Sequence, residues 1–263
     1  MSNKHSTVVN PIDGTSIAAT RIGEGRPVVI VHGSIADGSQ WDLVAQELAA
    51  DAESWLVDRR GRGLSGDATE HSLALEAADV AAMLAEAGPD AVLVAHSYGA
   101  IVALEALRSG ATAAAAVIYE PPLPVVGPVA GAALEPFAAL VAEGNLDDAL
   151  ALALTEVVHV PAEVVAGMRQ SPAWAPMAAL APTWVRELRA IDALEPSAQA
   201  YATITTPLHF LLGEVTAPHH VAATDALREL LPTSTLTVLP GQEHFAHMAV
   251  PDQVAAVIRT ALA

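Results

Sequence analysis

The chain contains no cysteine. Disulfides, thiolate zinc centres, iron–sulfur clusters and cysteine nucleophiles are thereby excluded. Positive charge is scarce as well. Twelve Lys and Arg face thirty Asp and Glu for a formal charge of −18, and Lys4 is the sole lysine. A field of that sign repels nucleic acid and anionic lipid surfaces, so neither is expected as a partner. No run approaches the roughly 20 uninterrupted apolar residues of a membrane helix. Residues 1–10 are polar and lack the apolar stretch of a secretory leader, so a cytoplasmic protein is the expectation. Aromatic residues make up only 4% of the chain, and its 52% hydrophobic content rests on aliphatic side chains, Ala above all. Side chains of that size suit a sheet flanked by close-packed helices.

At 263 residues the chain suits one sizeable core. Short aliphatic runs alternate with longer stretches of helical spacing. That is the pattern of an α/β fold, a mostly parallel twisted sheet of about eight strands with helices on both faces. Asp13-Gly14 joins residues 7–10 and 16–21 as a hairpin. Further strands are expected at 27–32, 54–58, 91–95, 113–120, 208–212 and 235–239. Helices are expected at 41–50, at 73–87 up to Gly88-Pro89, from Ser97 to Gly110, at 222–231, and from Asp252 onward. Between 121 and 200 no strand is expected, and the segment is rich in Ala, Pro, Leu and Glu. The reading is a core domain of residues 1–120 and 201–263 interrupted by a helical insertion, 121–200.

Chemistry concentrates at strand ends. Ala95-His96-Ser97-Tyr98-Gly99 lies between an apolar strand and a helix. A serine on such a sharp turn projects its hydroxyl outward, and the helix start behind it supplies unpaired N–H groups. The turn needs small residues two positions either side, which Gly99 meets fully and Ala95 with one methyl. Val31-His32-Gly33-Ser34 ends an earlier strand, and the oxyanion hole is assigned to the N–H groups of Ser34 and Tyr98. His32 is read as fixing that turn. Pro240-Gly241-Gln242-Glu243-His244 follows the last strand, so His244 sits at the same carboxyl edge and becomes the proton acceptor for Ser97. His247 is read as packing or capping the final helix.

These blocks, with Asp58-Arg59-Arg60-Gly61-Arg62-Gly63-Leu64-Ser65 between them and Pro251 after them, resemble the α/β-hydrolase superfamily over nearly the whole chain. The resemblance implies a structural role for the Asp58 to Ser65 turn and a substrate-selecting cap for residues 121–200. It also implies a third catalytic member, an acid. Most relatives carry it after the penultimate strand, where this chain has Gly213-Glu214-Val215-Thr216, with Thr216 in the usual position of the acid. Another branch carries it one strand earlier, at Ile118-Tyr119-Glu120 here. Glu120 is the preferred acid, with Glu214 and an acid-free dyad as alternatives. Because a serine stands at the elbow, the alkyl-enzyme chemistry of dehalogenases is not expected.

The expected activity is hydrolysis of an ester or thioester with an apolar acyl part, on a small-molecule or carrier-bound substrate. The −18 charge disfavours an acidic carrier. Non-hydrolytic chemistry on the same frame (cofactor-free haloperoxidase or perhydrolase, lyase or cyclase) and a non-catalytic ligand-binding protein are the alternatives. Trp174, Trp184, Phe137, Met168 and Met177 are the candidates for an acyl pocket, although residues of this kind more often pack helices on one another. His159, His219 and His220 have no carboxylate partner at metal-ligand spacing. No metal and no cofactor are expected.

Overall fold

In the parallel part of the sheet, apolar residues run without alternation, because strands covered on both faces bury every side chain. Val28 to Val31 and Val92 to His96 are all buried. The computed structural model describes residues 5–263; Met1 to Lys4, with the start of the polar N-terminal stretch and the sole lysine, lie outside the described residues. An antiparallel pair, β1 (His5–Val9) and β2 (Ile17–Gly23), forms one edge. Six parallel strands follow: β3 (Arg26–Val31), β4 (Ala52–Val57), β5 (Val92–His96), β6 (Ala115–Tyr119), β7 (Leu208–Gly213) and β8 (Thr235–Leu239). The order across the sheet is β1-β2-β4-β3-β5-β6-β7-β8, with β2 antiparallel to β4.

Strand residues alternate between two cores, as the two-residue repeat of a strand requires. Val29, Val31, Leu93, Ala95 and Ile118 meet α2 (Leu73–Ala87) and α3 (Tyr98–Arg108). Val28, Ile30, Val92, Val94 and Val117 meet α1 (Asp42–Leu48) on the other face. The α2 boundaries follow from local chemistry. Ser72 accepts a hydrogen bond from the Leu75 N–H at 3.2 Å, and Gly88 leaves the helix at φ 96°.

Between β6 and β7 the described residues form helices: α4 (Leu134–Ala142), α5 (Leu146–Glu156), α6 (Ala162–Met168), α7 (Trp174–Ala179) and α8 (Ala181–Asp192). The Asp192 carboxylate accepts from the N–H groups of Val129, Ala130 and Gly131 at 2.7, 3.2 and 2.9 Å, folding this segment onto itself. After β7, α9 (Pro218–Leu230) starts four residues before the expected Ala222, because Pro218 suits the first helical position. A short α10 (Ala246–Ala249) and α11 (Pro251–Leu262) close the chain, with α11 packed beside α1 on the second face. No described helix is long and apolar enough to cross a membrane. Parallel register leaves the carboxyl ends of β3, β4, β5, β6, β7 and β8 along one edge, where the segments around His32, Asp58, Ser97, Glu120 and His244 lie.

Candidate active site

Ser97 stands where β5 gives way to α3, at φ 55° and ψ −126°. A non-glycine residue there is strained and persists only when its surroundings hold it. The Ser97 N–H donates to the Tyr119 carbonyl at 2.9 Å, and its own carbonyl accepts from Ala100 N–H at 2.9 Å. Gly99 permits the turn: a Cβ there would lie 2.4 Å from the His32 carbonyl oxygen and 2.6 Å from that of Val31. Across the cleft, a Cβ on Gly33 would lie 2.9 Å from the Ser97 Cβ. Ser34 N–H and Tyr98 N–H have no hydrogen-bond acceptor among the described residues.

Glu120 directly follows β6, fully buried, at φ 49°. Its Oε1 accepts from Gly213 N–H at 2.7 Å, and its Oε2 pairs with His244 Nδ1 at 2.5 Å. With Nδ1–H donated to a carboxylate, His244 keeps Nε2 as a proton acceptor. Glu214, the alternative acid, is exposed and instead accepts from Gly241 N–H at 2.7 Å. Loops from β7 and β8 cross at Gly213, where a Cβ would meet the Gln242 carbonyl oxygen at 2.3 Å. Ser97 and His244 border the same cavity.

His244 is held on several sides. His96 Nε2–H donates to the His244 carbonyl at 2.9 Å, and the two rings lie 4.4 Å apart, centre to centre. Tyr119 Oη donates to the Glu243 carbonyl at 2.9 Å and accepts from Ala246 N–H at 3.0 Å. His220 stacks on His244 at 4.4 Å with planes 9° apart. Burial holds His96 and His220 well below the ordinary histidine range, so both are neutral beside His244. His247 stacks on Trp41 at 4.6 Å, and burial pushes its pKa down to about 3.

The sequence analysis leaves His159, His219 and His220 outside the chemistry, yet all three lie on the cavity wall. The early start of α9 brings the last two there, a placement that only Pro218 could have signalled. Glu120, His220 and His244 also offer ligand atoms within 4.8 Å of one another. The two imidazole planes are nearly parallel, however, and His244 Nδ1 is already turned to Glu120. In-plane lone pairs on stacked rings do not converge on one point about 2 Å from both, as a metal ion requires. The trio forms a hydrogen bond and a stack.

The cavity holds about 590 Å³. Ser34, Ser97, His219 and His244 mark its polar end, and Leu154, Val157, Trp184, Leu188 and Ile191 its apolar wall. No lysine or arginine lines it among the described residues. Of the five pocket candidates, Trp184 lines the cavity and the other four do not. Phe137 is fully buried edge-on against Trp184 at 5.5 Å. Trp174 donates its indole N–H to Asp147 and lies beneath Arg169. Met168 and Met177 pack on the helical core. The larger side chains join insertion helices to one another, and aliphatic ones form most of the wall.

A sequence model described as the alpha/beta hydrolase family matches residues 28–257. An alpha/beta hydrolase from Sphaerobacter thermophilus superposes with a TM-score of 0.87 at 31% identity, covering 98% of this chain and 100% of that one. An esterase from Rhodococcus superposes with a TM-score of 0.75 at 25% identity, covering 99% and 98%. An N-formylmaleamate deformylase from Pseudomonas putida is 33% identical over 109 residues; this match spans 40% of this chain and only 40% of that protein.

Proposed function

The chain belongs to the alpha/beta hydrolase family, and on that premise we propose that it is a serine hydrolase cleaving an ester or thioester with an apolar acyl part. The observation that carries this reading is the 2.5 Å pair between the buried Glu120 and His244, which lines the cavity that Ser97 borders. In the proposed cycle Ser97 Oγ attacks the acyl carbon while His244 Nε2 takes its proton. Glu120 holds the imidazole tautomer and balances its charge in the transition state. The Ser34 and Tyr98 N–H groups, free of protein acceptors, receive the developing oxyanion. Collapse of the tetrahedral intermediate expels the alcohol or thiol with the proton from His244, and water repeats the sequence on the acyl-enzyme. Residues 121–200 act as the cap, and their aliphatic wall takes the acyl chain. A lining without Lys or Arg favours a neutral substrate.

Incubation of the folded protein with a fluorophosphonate, followed by peptide mass spectrometry, tests the reading. A single adduct on Ser97, lost in Ser97→Ala and His244→Ala, is expected. A folded protein that stays unlabelled and inert toward activated esters would refute it.

A further inference from the structure

We propose that Arg59 is a positioning residue for the oxyanion pocket, and that Glu187 from α8 of the insertion holds it there, coupling the seat of the insertion to the strength of the pocket. The inference rests on the serine-hydrolase reading and deepens it. It also gives the Asp58 to Ser65 turn a part beyond structure.

The Gly33–Ser34 peptide carries the argument. In a trans peptide the carbonyl and the N–H point in opposite directions, so whatever anchors Gly33 O also aims Ser34 N–H. Gly33 O accepts from Arg59 Nη2 at 2.8 Å and from His32 Nδ1 at 2.7 Å. His32 Nε2 in turn accepts from the Arg59 backbone N–H at 3.3 Å, so Arg59 grips the turn with both side chain and backbone. A cation bonded to a carbonyl polarises the whole peptide and strengthens its N–H as a donor. The turn needs anchoring, for the next residue, Ile35, is β-branched and sits at φ 46°. The guanidinium also lies 4.8 Å from the ring centre of Tyr98, whose N–H is the second donor.

Arg59 is itself held by two buried carboxylates. Nη1 bonds Glu76 at 2.7 Å and Nη2 bonds Glu187 at 2.6 Å. Glu187 is 1% exposed and also bonds Arg62 at 2.5 Å, while His71 closes on Glu76 at 2.6 Å. Arg59, Arg62, Glu76 and Glu187 form a neutral set of four charges shut from water. Removing one member leaves another unpaired, so the arrangement resists partial opening. Glu187 is the member contributed by the insertion, and α8 reaches the Gly33 peptide through one guanidinium.

The test compares hydrolysis of an activated ester with that of its thionoester, in which sulfur replaces the carbonyl oxygen and accepts hydrogen bonds poorly. A working oxyanion pocket makes the oxygen-to-sulfur rate ratio large, and loss of alignment shrinks it. In Glu187→Gln the ratio is expected to fall about tenfold or more through kcat, with KM for the ester little changed. Glu187→Asp keeps the charge and is expected to fall between; it serves as the measurement if the glutamine variant does not fold by near-ultraviolet circular dichroism. Asp67→Asn cuts another tie between insertion and core, the Arg186–Asp67 pair at 2.9 Å, without touching Arg59, and is expected to leave the ratio at the wild-type value. A folded Glu187 variant with the wild-type ratio overturns the coupling and leaves the serine-hydrolase reading intact. An equal fall in Asp67→Asn also overturns it, by making general loosening of the insertion sufficient. Wild-type protein with no fluorophosphonate adduct on Ser97 would remove the reading and the inference together.

Discussion

Replacing Glu120 by glutamine poses a problem of hydrogen-bond arithmetic. The carboxylate serves two N–H donors, Gly213 N and His244 Nδ1, with one oxygen each, in a site with no exposed surface. Glutamine has one oxygen and one NH2 group. If the oxygen stays with Gly213, the NH2 faces His244 Nδ1 and drives the ring to the tautomer with its proton on Nε2. That ring cannot accept the Ser97 proton. If the oxygen turns to His244, the NH2 opposes the Gly213 N–H, leaves a buried donor unmatched at about 1–3 kcal/mol, and supplies no charge to the imidazolium. Either way kcat is expected to fall by about 10³–10⁴, or roughly 4–5.5 kcal/mol of transition-state stabilisation. The assay is steady-state hydrolysis of a p-nitrophenyl ester by Glu120→Gln and, beside it, Glu214→Gln. The exposed Glu214 is expected to be replaceable within about threefold, because its one bond only closes a loop. More than a tenth of wild-type kcat remaining in Glu120→Gln, or an equal loss in Glu214→Gln, would refute the assignment of the acid.

Three more outcomes are expected. Gly33→Ala places a methyl 2.9 Å from Ser97 Cβ and 3.2 Å from His96 Nδ1, and should abolish ester hydrolysis at a stability cost of only about 1–3 kcal/mol by urea denaturation; an active variant would contradict the geometry. Stability should drop steeply on acidification. His32, His96, His220 and His247 are held neutral mainly by burial, so the unfolded chain binds more protons below its ordinary histidine value of about 6.5. Their contribution is complete above about pH 6.5 and is lost as pH falls toward their depressed folded values. Asp79, pushed up to about 6 by burial, opposes this by less than one proton, so the net slope near pH 5.5 keeps the sign set by the histidines. Chemical denaturation at pH 7 and 5.5 reads it, and a flat or rising profile on acidification would disprove it. Leu188→Phe should shorten the acyl preference, lowering the octanoate-to-butyrate ratio of kcat/KM about tenfold; an unchanged ratio would mean that the acyl chain lies elsewhere.

Much of this arrangement was legible in the chain itself, for identifiable reasons. Doubly covered strands read as unbroken aliphatic runs, as at Val28 to Val31 and Val92 to Ala95, and α2 has the expected boundaries because Gly88 closes it. The turn at Ser97 was legible because close backbone crossing demands small neighbours, and Gly99 meets two carbonyls. Glu120 rested on the family resemblance, and its bond to His244 on the folding of two distant strand ends to one edge. Insertion boundaries were less readable, since α4 to α8 lack side-chain caps that would mark their starts. Contacts between remote segments left no local trace. Nothing near Arg59 announces Glu187, 128 positions on, and the His220–His244 stack exists only once the β7 and β8 loops have crossed at Gly213.

In the proposed cycle, the absence of Lys and Arg from the described cavity lining bears on the end of a turnover as well as its start. In that cycle, deacylation converts a neutral ester into a carboxylate, which ionises at neutral pH in a chamber offering no ammonium or guanidinium partner among the described residues. Glu243 stands on the same lining, and the whole molecule carries −18. A newborn anion there has no cationic side chain to hold it and is repelled by the net negative charge, whereas bulk water takes it readily. On the proposed reading, release is favoured and free carboxylic acids are expected to be poor inhibitors, so that turnover continues as product accumulates.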